Sequence, residues 1–183
     1  MAATYSKGMP IGTPMPAFRL AGADGGTWSH TDFDDAELLV VVFSCNHCPY
    51  VIASENRLIA LQREYGGRGV RFVLINPNDA VRYPDDSFEN MKRRAKEKDY
   101  PFPYLHDETQ EIARAFDAAC TPDIFVFDRE RRLRYNGRID DNWQEPEKVT
   151  RQDLRTVLDD LLAGRDISID PVPSMGCSIK WKQ

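Results

Sequence analysis

Nothing in this chain approaches the roughly 20 consecutive apolar residues that a membrane-spanning helix needs. The opening stretch from Met1 to Pro10 also lacks the continuous apolar core of a secretory signal. A cytoplasmic location is the expectation. An excess of basic charge is missing too: 24 Lys and Arg face 29 Asp and Glu, for a net charge of −5 with both signs interspersed. Without a basic face, neither nucleic acid nor a membrane surface is an expected partner, which leaves proteins and small molecules. The four cysteines are too few for a disulfide scaffold in 183 residues, so their expected value is reactivity. No second CxxC and no HxxxH follows at a suitable spacing, which argues against structural zinc. Internal repeats and low-complexity segments are absent as well.

What is present is an ordinary folded composition, 42% hydrophobic and 29% charged, with length enough to bury a sizeable core. A single domain over residues 1–183 is expected, with a core at about 12–163 and a tail at 165–183. Within it, Cys45-Asn46-His47-Cys48 follows the apolar run Leu38 to Phe43 and precedes a helical pattern, Val51, Ile52, Leu58, Ile59 and Tyr65, that Gly66-Gly67 ends. Two cysteines so spaced can meet on the first turn of a helix, where unpaired N–H groups and the positive dipole end stabilise a thiolate.

Leu38–Phe43 and Val70–Ile75 are apolar without alternation, as central strands covered on both faces are, and they close a βαβ unit around the helix. Phe18–Leu20 and Thr27–Ser29, on either side of Gly25-Gly26, predict an N-terminal hairpin. A helix is expected between Asp85 and Lys98, reading as an insertion. Asp107 and Gln110 resemble a capping box for a helix carrying Ile112 to Ala119. Asp123–Phe127 and Arg132–Tyr135 predict an antiparallel hairpin. Thr150 and Asp153 are expected to cap a last helix, with Leu154, Val157, Leu158, Leu161 and Leu162 on its apolar face. In the tail, Ile179 and Trp181 alternate with polar residues, which suits an extended segment docked on one face.

This order of strand, CxxC, helix, strand, X-Pro, hairpin and closing helix resembles the thioredoxin-like fold, an α/β architecture with a central mixed sheet flanked by helices. Phe18 to Gly26, the strand ending at Phe43, and Thr121-Pro122-Asp123-Ile-Phe-Val-Phe-Asp128 are similar to the alkyl-hydroperoxide-reductase/TlpA-like redoxin branch. The resemblance implies a cis peptide before Pro122, facing the dithiol, with the backbone of Thr121 exposed to pair with an extended substrate strand beside Cys45. It implies a thiol-disulfide oxidoreductase with no cofactor, antioxidant in character, acting on a disulfide-containing protein or a small thiol and served by a thiol electron donor or acceptor.

In that chemistry Cys45, taken as the more exposed, attacks and Cys48 releases the mixed disulfide. Asn46 lies between them, and His47 as imidazolium would favour a Cys45 thiolate. The direction of electron flow stays open. A peroxiredoxin-like peroxidase is the nearer rival, yet PxxxTxxC fits neither cysteine, since Leu38 and Val42 precede Cys45 while Val41 and Cys45 precede Cys48. A non-catalytic redoxin binding Cu(I) or a partner is a third reading, with His30 and His106 as distant ligand candidates; no metal is the expectation. The buried acid that thioredoxins place six residues before the first cysteine is replaced by Leu39, so proton removal falls to another group or to water. Asp140-Asp141 are read as a solvated hairpin end, and Tyr100 to Tyr104 as a loop fixture. Cys120 is expected to be buried and structural. Cys177 is either an inert packing thiol or, with Cys120, a candidate third thiol near the CxxC.

Overall fold

The computed structural model describes residues 3–183; Met1 and Ala2 lie outside the described residues. Its main sheet is built from β2 (Arg19–Gly22), β3 (Thr27–Ser29), β4 (Leu38–Phe43), β5 (Val70–Asn76), β6 (Tyr104–His106), β8 (Asp123–Phe127) and β9 (Leu133–Asn136), in the order β3-β2-β6-β5-β4-β8-β9. β4, β5 and β6 run parallel, and the outer strands pair antiparallel, so the sheet is mixed. Helices α1 (Pro49–Tyr65), α2 (Phe88–Glu97), α3 (Glu111–Ala115) and α4 (Asp153–Leu162) flank it, giving a thioredoxin-like α/β fold.

β4 shows why an unbroken apolar run is needed at the centre. Leu38, Val40 and Val42 face Leu58, Tyr65, Val157 and Leu158 of α1 and α4, while Leu39, Val41 and Phe43 face Phe116 and Phe127 on the other side. Successive strand residues point to opposite faces, so a strand with two covered faces has no polar position to spare. On the second face Phe116 meets its aromatic neighbours edge-to-face, Phe43 at 5.3 Å and Phe125 at 5.6 Å.

Several helix starts differ from those read in the sequence. α2 begins at Phe88, because Pro84–Asp86 forms a separate short turn and Ser87 caps the helix through Asn90 N–H. Asp107 builds no capping box: its carboxylate accepts from Ala113 N–H at 2.8 Å, Gln110 takes a left-handed φ of 65°, and α3 is only five residues long. Thr150 bonds to Asp141, and the buried Asp153 pairs with Arg138 and Arg151, so neither caps α4 through its side chain. At Thr150 and Asp153 a partner outside the helix, Asp141 or Arg138, takes the side-chain oxygen that a local cap would need.

The tail is docked, and by more than its apolar residues. β10 (Met175–Ser178) lies between β1 (Thr4–Tyr5) and β7 (Cys120–Thr121) in a second, antiparallel sheet, with Cys177 opposite Thr121 and Ser178 opposite Cys120. Beyond it Ile179 is buried, and Trp181 packs on the same core beneath the Arg114 guanidinium. Gly176 is dictated by this pairing, since a Cβ there would stand 2.1 Å from the Thr121 carbonyl oxygen. Gly176→Ala is therefore expected to destabilise the protein by about 1–3 kcal/mol, the usual cost of overpacking. Hydrogen exchange should accelerate over residues 175–179 while β4 and β8 stay protected; unchanged exchange in the tail would show that β10 has room to spare.

Candidate functional site

The Cys45–Cys48 segment leaves the C-terminal end of β4 as a loop rather than as the first turn of a helix. Pro49 sets the boundary: proline is favoured at the first helical position and drives its predecessor to extended backbone, and Cys48 has φ −71° and ψ 123° as the N-cap of α1. Cys48 therefore faces the helix's free amides, while Cys45 lies three residues outside it. Asn46 pins the loop from three directions. Its amide donates to Asp86 Oδ1 at 2.6 Å, its Nδ2 to the Asp85 carbonyl at 2.8 Å, and its Oδ1 accepts from the Tyr104 hydroxyl at 3.0 Å.

Thr121, joined to Pro122 by a cis peptide bond, meets both thiols. Its hydroxyl lies 3.2 Å from Cys45 Sγ, and its carbonyl oxygen accepts from Cys48 Sγ at 3.1 Å. The expected difference in exposure between the two cysteines is not found. Cys45 is 1% exposed and Cys48 0%, because β10 covers both.

The order of acidities is also the reverse of the one read from the sequence. Burial pushes Cys45 well up, helped by its bond to Cys48 and by the nearby charge of Asp86. Cys48 is lowered, first by the hydrogen bond from Cys45, then by donors at Cys177 and at the Val51 amide. The Thr121 carbonyl opposes ionisation of Cys48, since that contact needs its proton, but several converging donors outweigh one acceptor. The two thiols titrate as a coupled pair, with burial holding Cys45 up and the neighbouring donors drawing Cys48 down.

His47 does not act as the sequence suggested. Its Nδ1 is 2.7 Å from Asp86 Oδ2, its ring lies parallel to Tyr83, and its positive charge is spent on the carboxylate instead of a Cys45 thiolate. Hydrogen bonding to Asp86 raises His47 above its ordinary value despite burial. Burial pushes Asp86 up in turn, but His47, the Asn46 amide and Asn78 Nδ2 at 2.7 Å outweigh it, and the carboxyl titrates below its ordinary value. Asp86 is the residue sequence reasoning missed. Its signal is slight, two acids after Pro84 in an apparent insertion.

Cys45, His47 and Asp86 place ligand atoms within 4.8 Å of one another, the one such group among the described residues; neither His30 nor His106 belongs to it. Both oxygens of Asp86 are already held by Asn46, Asn78 and His47. Cys120 is fully buried outside the thiol cluster, its Sγ donating to the Pro122 carbonyl at 3.5 Å, whereas Cys177 joins Cys45 and Cys48 in one cluster with Val51. Asp140 is not a solvated hairpin end: it is buried against Arg57 and, with Tyr50, Trp143 and Pro122, lines a cavity of about 270 Å³ beside the site.

The Redoxin family pattern matches residues 10–158. No curated protein matches the chain. Among solved structures, an uncharacterized conserved protein from Geobacillus kaustophilus is 47% identical with a TM-score of 0.94, over 100% of this chain and 97% of that one. A hypothetical protein from Sinorhizobium meliloti 1021 is 40% identical, TM-score 0.93, over 98% of each chain. A putative thiol:disulfide interchange protein DsbE from Chlorobium tepidum shares the fold at 17% identity, TM-score 0.67, over 85% of this chain and 99% of that one.

The His47–Asp86 pair yields a signed prediction. Because the folded state raises His47, the pair's stabilisation is full below the unfolded value of about 6.5 and is lost as pH rises through the folded value. In Asp86→Asn, the His47 ring signal followed by NMR should titrate lower than in the wild type. Stability should also fall by about 1–3 kcal/mol, the cost of a lost buried partner. An unmoved His47 titration would show that Asp86 is not its charge partner.

Proposed function

The chain belongs to the Redoxin family, and from that premise we propose that it is a thiol-disulfide oxidoreductase of the alkyl-hydroperoxide-reductase/TlpA-like branch, working through the Cys45/Cys48 couple. The observation that carries this reading is the meeting of both sulfurs on Thr121 in one buried cluster, and the raised Cys45 and lowered Cys48 support assigning the proton to Cys45 when the site reacts. Cys48 is then the internal base for its neighbour. As Cys45 attacks a disulfide RS–SR′, its proton passes to Cys48, the RS–SR′ bond breaks, and RS⁻ leaves from a Cys45–SR′ mixed disulfide. RS⁻ takes the proton from Cys48, which attacks Cys45 Sγ and expels R′S⁻. The protein is oxidised by two electrons and the substrate is reduced by two. The reverse sequence oxidises a dithiol.

This assignment supplies the proton acceptor that Leu39 cannot, while the nearby Asp86 carboxylate is held by Asn46, Asn78 and His47. Substrates fitting it are a protein disulfide or a small disulfide, with a thiol such as dithiothreitol restoring the dithiol in vitro. The PxxxTxxC pattern of a peroxidase fits neither cysteine.

Turnover of a protein disulfide with dithiothreitol tests the assignment. Cys45→Ser and Cys48→Ser are each expected to lose at least a hundredfold in rate, and Cys48→Ser should accumulate mixed disulfides because the releasing thiol is gone. Full activity in Cys45→Ser, or consumption of peroxide faster than of disulfide, would overturn it.

A further inference from the structure

The strand edge at Thr121, expected to receive a substrate, is occupied by the chain's own β10. The register sets Cys177 opposite Thr121, whose carbonyl contacts Cys48 and whose hydroxyl contacts Cys45. Cys177 thus presents its sulfur to the dithiol from the place a bound strand would take. The segment is held on both sides of the cysteine. Ser174 accepts from Ser6 N–H and donates to Gly137, while Lys180 N–H donates to Asn78 Oδ1 at 2.9 Å and the Lys180 carbonyl accepts from Asp79 N–H and Gln110 Nε2. Gly176 lets the strand lie close against the Thr121–Pro122 backbone, and Cys177 next to it packs in one cluster with Cys45 and Cys48.

Building on the Cys45/Cys48 reading above, we propose that Cys177 is a third catalytic thiol that exchanges with Cys48 and carries the disulfide outward as a Cys48–Cys177 bond. Cys48 packs with both Cys45 and Cys177 in one buried cluster, its Sγ on the carbonyl of Thr121, the residue paired with Cys177. Cys177 is the outermost, 5% exposed against 1% for Cys45 and 0% for Cys48.

The exchange balances without an added oxidant. Cys177 attacks Cys48 Sγ of the Cys45–Cys48 disulfide as its own proton passes to the departing Cys45. The Cys48–Cys177 bond forms, the Cys45–Cys48 bond breaks, and Cys45 leaves with the electron pair and recovers the proton. An outside thiol, the electron donor already named for the reaction, attacks Cys177 Sγ and releases Cys48 as thiolate. A second outside thiol frees Cys177 and departs as the outside disulfide. In the reduced protein, burial and the bond to Cys48 push Cys177 up to about 12. With Cys48 in a disulfide, its bond and charge no longer add to the effect of burial on that proton. The environment that favours Cys48 as an anion makes it the better leaving group in the second step.

The test uses the full chain. Cys45→Ser is treated with one equivalent of diamide, alkylated under denaturing acid and digested with trypsin, which separates the peptides of Cys48, Cys120 and Cys177. A Cys48–Cys177 linked peptide as the main product, with Cys120 alkylated, is expected. Free or intermolecularly linked Cys48, or a Cys48–Cys120 link, would overturn the relay even if the protein is an active oxidoreductase. In kinetics, Cys177→Ser should melt like the wild type and still form the Cys45–Cys48 disulfide, yet be rereduced by glutathione at least tenfold more slowly. Equal rereduction rates would refute the relay and leave the Cys45/Cys48 reading intact. Loss of the Cys45–Cys48 disulfide from the wild type itself would refute that reading, and the linked-peptide result decides the relay on its own.

Discussion

Thr121 gathers the site. One residue places its hydroxyl on Cys45, its carbonyl on Cys48 and its backbone beside Cys177. Three thiols, two from the loop after β4 and one from β10, share a buried cluster around that single backbone stretch. The main sheet fixes that stretch, since β8 follows directly and pairs with β4 all the way to Phe43, two residues before Cys45. A displacement of β8 would therefore be felt at once by the dithiol.

Electrostatics then divide the labour between the two sulfurs of the CxxC. Burial and the nearby Asp86 raise the cost of charge on Cys45, and Asp86 absorbs the charge of His47, while Cys48, at the helix N-cap, is drawn down by its neighbouring donors. The histidine orients the loop by way of the carboxylate and contributes little positive field to the dithiol, because opposite charges 2.7 Å apart cancel at a distance.

Much of this was legible in the residues. β4, β5 and β8 follow from apolar runs, the N-terminal hairpin from its glycine turn, and the cis peptide from the resemblance carried by Thr121-Pro122. Pro49 was equally legible as a helix start, and it alone would have moved Cys45 off the first turn. What could not be read were pairings across long separations. Nothing near His47 announces Asp86, nothing near Asn46 announces Tyr104, and β10 has four residues without a β-branched side chain. Its strand character comes from the partners on either side, β1 and β7. Thr150 and Asp153 miscarried for the same reason: local capping rules compete with partners that local patterns do not encode, Asp141 for the one and Arg138 for the other.

The second sheet has a kinetic meaning. It joins Tyr5 to Met175 and Thr121 to Cys177, so the last cover over the dithiol depends on contacts between the first and last described stretches of the chain. Contacts of such high sequence separation carry the largest loop-closure cost and are favoured only after the intervening structure has formed. The main sheet can assemble with Cys45 and Cys48 still open to solvent. Burial of the thiols is thus a late event in folding, and the nascent protein passes through a stage more reactive toward outside thiols and oxidants than its finished form.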